Sequence, residues 1–506
     1  MILLAIIVQV QVDWRAWLYG MRPGKTLVPR TEESFIMTHE GFLLGVGHSR
    51  PYPDIHAVAW ALTPDGYTLW QFHQDTLSYD FSALLGCCAN RSGQLYAAGR
   101  AVLPGYDITL YSSFIIRLDP LSGYPVWSYR FPVEATNTCS KPIIDPHGNL
   151  WVLGSILDSI SENILVLSLD TAGNLRCYFE YDGPYHEMDQ ARDIGADPNG
   201  NIYLAGVRED STISCTEIKP LVIKLDSAGN LLWISVLTAL KGYAAVKLNL
   251  SGKWLYVVGW TEWSIGAYGV FLARLDTASG SIDWLKEYTS SSSQELSSMI
   301  MDKNNNIYLG GGGGQGCWEI MCLDTLGNEK WRFYAEPDAN NSCGMLCLVM
   351  DTTGNLFAGG WDGEFNAAYK LDTLGNLIWG WRDTITDYDA STVSGLVPDG
   401  QGGVYVQEWF TTSIPDPPYY TNITSVVHLT EGQAIAENPG QGQGIRIAMA
   451  PSGFLISGYE GEAQVYDPAG RLILTREIKS KALIGPLKPG VYFVVAGRQR
   501  AKVAVR

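Results

Sequence analysis

The sequence predicts an all-β fold in which eight four-stranded sheets stand in a ring, closed by a strand from the start of the chain, with a small β-sandwich at the C-terminus. Three observations predict it. A two-part phrase recurs about every 50 residues up to about residue 430, and a period of that length marks one supersecondary unit repeated side by side. The clearest copy runs Asp-Pro-Asn-Gly-Asn-Ile-Tyr-Leu-Ala-Gly (197–206), then Leu-Val-Ile-Lys-Leu-Asp-Ser-Ala-Gly-Asn-Leu-Leu-Trp (221–233). Both halves read as short apolar runs joined through a Gly-Asn turn, the signature of a hairpin, and no window sustains helical periodicity. A solenoid of helices is the competing architecture, and the missing periodicity argues against it.

From the N-terminus, residues 1–11 form an apolar run too short to span a bilayer, and we read it as the remnant of a signal peptide. Residues 12–19, Val-Asp-Trp-Arg-Ala-Trp-Leu-Tyr, look like an outer strand with no hairpin before it. The repeats follow. Their Leu-Asp position falls at Asp119, Asp170, Asp226, Asp276, Asp324 and Asp372, with Thr63 and Thr430 in the equivalent place at the two ends. The first-half phrase lies around Gly45, at Gly99, Gly154, Gly206, Gly259, Gly311 and Gly360, and in degenerate form at 404–407. Each Gly of the Gly-Asn turn tolerates positive φ, and the Asp three residues earlier can accept hydrogen bonds from turn amides. A tryptophan follows the second turn at Trp70, Trp127, Trp233, Trp284, Trp331 and Trp379, and Cys177 replaces it in the third repeat. The eighth copy stops before its tryptophan strand. The N-terminal strand is therefore expected to complete that sheet, which removes edges that would otherwise invite aggregation.

These repeats resemble bacterial β-propeller repeats of the quinoprotein-like and SBBP type. The segments 117–127 and 274–284 are similar to the tryptophan-docking motif of quinoprotein blades, and the resemblance spans residues 12–432. It implies an eight-bladed β-propeller and says little of function, because the shared residues serve blade packing.

After a Gly/Gln-rich linker (433–450) the pattern becomes alternating strands with Gly/Pro turns over 451–506. That segment has Tyr466-Asp467 with Gly470-Arg471, the phrase Leu-Lys-Pro-Gly-Val-Tyr-Phe (487–493) and a basic last strand. It resembles the type A C-terminal sorting domain of type IX secretion substrates. The resemblance implies export, recognition by the type IX secretion machinery, and a secreted or outer-membrane-attached location. Residues 451–506 carry a net charge of +5 within a chain of −17, which marks them as a separate module.

Composition sets further bounds. The chain is 46% hydrophobic and 17% charged, an ordinary globular balance. A charge of −17 excludes nucleic acid or an anionic membrane as the main partner, and no transmembrane segment or oligomer is expected. The nine cysteines form no C-x-x-C pair and no zinc set. Most are expected as buried thiols, with Cys343–Cys347 or Cys317–Cys322 as the local disulfides an oxidising compartment would allow.

Loops joining strands two and three, and loops between blades, are long and varied and share one face, where ligands are expected. Aromatic residues collect there: Trp260 and Trp263, Trp361, Trp409, Tyr106 and Tyr420. They can stack on sugars or anchor a protein, although packing between loops also accounts for them. His186-Glu187-Met188-Asp189 could supply a metal ligand or a base, and a solvated loop is the simpler reading. Asp383, Asp387 and Asp389 could offer oxygens to calcium but lack a recognised loop, so no cofactor is expected. The glycines 310–314 lack the Lys-Ser/Thr of a phosphate loop and suit close approach of strands. The function expected is recognition or scaffolding of a glycan or surface protein without catalysis. The alternative is a secreted hydrolase or lyase with acid/base residues at the channel mouth.

Overall fold

The computed structural model describes residues 10–19, 21–23, 34–49, 56–74, 81–102, 110–131, 135–158, 160–212, 215–240, 242–264, 267–289, 295–312, 318–335, 343–362, 365–383, 390–415, 418–431, 446–450, 453–457, 461–466, 472–479, 481–484, 490–496 and 499–505. These residues form strands and turns, with no helix among them. The helical alternative is thereby overturned. Eight antiparallel sheets follow in chain order as the blades of a β-propeller: residues 35–73, 81–130, 136–181, 189–236, 242–289, 295–335, 343–382 and 390–431.

The ring closes as the sequence predicts. Val10–Tyr19 pairs antiparallel with Pro418–Glu431 and becomes the fourth strand of blade eight. It starts two residues earlier than expected, with Val10 opposite Glu431; residues 1–9 lie outside the described residues. Blade one departs from the pattern. Its second strand, Leu43–Ser49, is flanked on one side by two short strands end to end, Phe35–Met37 and Met21–Pro23. The register also puts Gly47, rather than Gly45, level with Gly99 of blade two, since Leu43 pairs Leu62 as Leu95 pairs Leu118.

Each blade is shaped by its turns. In the turn before Ile202, the Asp197 carboxylate accepts the amides of Asn199 and Asn201, both at 2.9 Å, the Asn201 side-chain amide at 2.8 Å and the Tyr203 hydroxyl at 3.1 Å. Gly200 holds φ at +80°, where a Cβ would be strained. Blade six replaces that glycine with Asn305 at φ +60°, the substitute a left-handed turn tolerates best.

Neighbouring blades lock through the tryptophans. Trp70, Trp127, Trp233 and Trp331 each lie on the second turn of the next blade. There the indole N–H donates to the carbonyls of Pro120, Thr171, Thr277 and Thr373 at 2.9, 3.1, 3.2 and 3.1 Å. A Cβ at Gly123, Gly173, Gly280 or Gly375 would meet the ring, so the turn glycine also makes room for it. In blade three, where Cys177 stands in the tryptophan place, the buried ring of Trp151 fills the gap from the second strand. Apolar clusters between adjacent blades supply the rest of the core.

Residues 434–506 form a second unit. Within it, Arg446–Ala450, Gly453–Ser457 and Lys481–Ile484 make a three-stranded sheet. Gly461–Tyr466, Leu472–Ile478, Gly490–Ala496 and Gln499–Val505 make a four-stranded one. Asp467, Gly470, Arg471 and Leu487 lie outside the described residues.

Candidate functional site

The second strand of each blade runs from a uniform Asp-Gly-Asn turn toward the face of varied loops, so its far end carries whatever differs between blades. In blades two to seven a glycine sits on this strand opposite a bulge of the first strand. The pairs are Leu84 with Gly99, Cys139 with Gly154, Ala191 with Gly206, Ala245 with Gly259, Leu296 with Gly311 and Met345 with Gly360. The bulge drives a first-strand carbonyl against the glycine. A Cβ at Gly99 would stand 1.9 Å from the Ala83 oxygen, and one at Gly206 2.1 Å from that of Gln190.

One residue further along lies a structurally equivalent level: His48, Arg100, Ser155, Val207, Trp260, Gly312, Trp361 and Trp409, one from each blade. Three aromatics that the sequence singles out thus stand on strands, in blades five, seven and eight, at a common depth. All three are half-buried. Trp361 lies over Gly344, where a Cβ would come within 2.1 Å of the ring, and its carbonyl accepts the Trp318 indole at 3.1 Å. Trp260 packs against Val207 of blade four, as does Ile218. Arg100 adds a cation, with its guanidinium 4.5 Å from the Tyr111 ring centre; burial lowers its pKa. Trp263 and Tyr420 belong to the strands Trp254–Ser264 and Pro418–Glu431, with Tyr420 opposite Ser413, but their side chains lie outside the described residues. Tyr106 lies outside them altogether.

Charged groups collect in three places. At the seam of the ring, Glu408 of blade eight takes the place of the repeat glycine and is fully buried. It accepts from Asn366 of blade seven at 2.8 Å and from Ser425 at 2.5 Å. Arg15 of the closing strand reaches it at 3.4 Å and Asp383 at 2.6 Å. Burial pushes the Glu408 carboxyl up to about 8; Arg15 opposes this and Asp383 adds to it. Asp383 thus forms an ion pair with Arg15, while Asp387 and Asp389 lie outside the described residues.

On the first strands of blades three to five, Lys141 forms an ion pair with Asp193, which also accepts the Leu248 amide at 2.7 Å. Burial alone would raise the Asp193 carboxyl, yet Lys141 and Lys247 together hold it below its ordinary value.

The third cluster joins blades three and four. Arg208 grips Asp210 with two bonds of 2.7 and 2.9 Å, and Lys219 reaches the same carboxylate at 2.9 Å. Asp189 lies opposite Arg208 on the neighbouring strand. It is fully buried; one oxygen accepts the Gly183 amide and the other has no hydrogen-bond partner. Burial pushes it up to about 6, with the Gly183 amide and Arg208 opposing and Asp182 and Asp210 reinforcing. His186 pairs with Asp182 on the exposed loop above.

Among the described residues no group of three or more His, Cys, Asp or Glu side chains is arranged to hold a metal ion. Cys322 is a buried thiol, while Cys317 and the side chain of Cys343 lie outside the described residues. Gly310 and Gly312 do allow close approach, lying against Met345 and Gly344 of blade seven. Among the described residues no helix is long and apolar enough to cross a membrane. Sequence reasoning missed Glu408 because it ended the eighth copy at Gln407. Aligning one residue further would have shown a carboxylate in a glycine position.

No family model matches the chain, and no curated protein aligns with it. Among solved structures it is similar to BamB from Moraxella catarrhalis, at 10% identity over 83% of this chain and 99% of that one, with a TM-score of 0.44. It is also similar to the quinohemoprotein alcohol dehydrogenase of Comamonas testosteroni, at 10% identity, 88% and 79% coverage and a TM-score of 0.47. The quinohemoprotein alcohol dehydrogenase ADHIIG of Pseudomonas putida HK5 gives 10%, 88% and 80%, and 0.45.

Proposed function

We propose that this protein is a secreted or cell-surface recognition propeller that binds a glycan or a surface protein through the face carrying Trp260, Trp361 and Trp409. One observation carries the reading: the three rings recur at one level of the repeat, half-buried, with Arg100 at the same level in blade two. Half-buried rings on rigid strands offer stacking area at low entropic cost. Long hairpins in blades four, five and eight, reaching Thr212, Ser264 and Pro415, raise walls beyond that level. The reading places residues 451–506 as a type IX sorting module, supported by their sequence pattern and net charge of +5.

A glycan array probed with the purified protein tests the ligand. Binding lost in the triple variant Trp260→Ala, Trp361→Ala, Trp409→Ala, with unfolding unchanged, supports the proposal. Equal binding by both proteins, or turnover of a bound sugar, sinks it. Secretion is tested separately: removing residues 451–506 is expected to retain the protein inside the outer membrane.

A further inference from the structure

We propose that the segment 182–188, between blades three and four, is a pH-responsive latch that lies closed over Asp189 in mild acid and lifts as that carboxyl ionises. The geometry comes first. The segment is exposed at Asp182, Pro184, Tyr185 and His186, yet its Gly183 is buried and donates its amide to the Asp189 carboxylate. A Cβ at Gly183 would stand 2.7 Å from an Asp189 oxygen and 3.3 Å from the Arg208 Cδ, so the segment presses directly on the acid. The His186 amide closes a turn back to the Gly183 carbonyl at 3.1 Å, and His186 takes φ +52°, an uncommon conformation for a residue other than glycine.

The groups facing Asp189 set the direction. From the segment itself come Asp182, bridged to His186, and from the end of blade three comes Tyr181. From the adjoining strands come Arg208 and Asp210, and Lys219 reaches Asp210 behind them. Arg208 is already spent on Asp210 through two nitrogens, so the second Asp189 oxygen has no partner. An ionised oxygen without a partner at zero exposure carries a large desolvation cost. Protonation removes that cost, and lifting the segment lets water do so instead.

The sign follows from linkage. Asp189 titrates higher in the closed state than in a solvated one, so closure is fully favoured in acid and weakens as pH rises through about 6.

Hydrogen exchange on the full chain between pH 5 and 8 tests the latch, after correction for the intrinsic rise of about tenfold per pH unit. The reporters are the Gly183 and His186 amides. Wild type is expected to lose protection there on the order of tenfold between pH 5 and 7.5, while Asp189→Asn stays protected throughout. A flat wild-type profile, or an equal fall in Asp189→Asn, overturns the proposal. Should that variant not fold, the wild-type fall must still be confined to 182–188 and absent from blade six.

Discussion

Asp197 shows how much one residue of the repeat does. Its two oxygens take four hydrogen bonds, and only 9% of its surface is exposed, so Asp197→Ala is expected to cost about 2–4 kcal/mol. Chemical unfolding measures this; the counterpart Asp170→Ala, in a solvated turn, should cost clearly less. Trp70→Ala is expected to cost about 3–5 kcal/mol and Trp70→Phe about 1–3, since the latter keeps an aromatic ring but loses the bond to Pro120 and part of the packed indole. Cys177 gives a sharper test. Restoring the repeat's tryptophan there should destabilise by about 1–3 kcal/mol, because the Trp151 ring occupies the space. The pair Cys177→Trp with Trp151→Tyr, which copies Trp233 and Tyr203 of blade four, should recover most of that loss.

At the scale of an element, the closing strand Val10–Tyr19 is held by more than its backbone ladder. Arg15 reaches both Asp383 and Glu408, and His428 ties Asp13 to Asp399 at 3.2 and 3.0 Å. Arg15→Ala removes the cation that bridges the Asp383 carboxylate and the buried Glu408 carboxyl and is expected to cost about 3–5 kcal/mol, read as earlier proteolysis of the N-terminal strand. Glu408 sets a pH dependence. Its folded pKa lies above the unfolded value, so its contribution is present in acid and is lost as pH rises through about 8. The unfolding midpoint should therefore fall between pH 7 and 9 in wild type, and fall less in Glu408→Gln, which keeps an acceptor for Asn366. Equal slopes would show that the seam charges do not govern closure.

For the whole molecule, closure depends on residues more than 400 positions apart, as Val10 meets Glu431. A chain lacking residues 1–19 would expose the edge of Pro418–Glu431, and light scattering should then detect association that wild type does not show. The two faces of the ring also differ in kind. One is built from Asp-Gly-Asn turns that vary little between blades. The other carries the level of Trp260, Trp361 and Trp409 and the segment above Asp189. The hairpin bearing Arg208 and Lys219 also packs Val207 against Trp260, so the ionic cluster and the aromatic level share one support.

The blade count, the turns and the closing strand were legible because each is a local pattern repeated. An aspartate, a glycine three residues later and a tryptophan beyond it specify a hairpin whatever surrounds them. The candidate site was legible only in part. Trp260, Trp361 and Trp409 stood out by type, but their common level depends on register against first-strand bulges, which leave no mark in composition. Glu408, Asp189 and Lys141 looked like ordinary charges in strands. What made them otherwise was burial against a neighbouring blade and the partners found there. Sequence by itself determined the architecture, because hydrogen-bonded turns and alternating strands are short-range physics. Only the tertiary structure decided which charges lie beyond the reach of water, because that depends on surfaces brought together from distant parts of the chain.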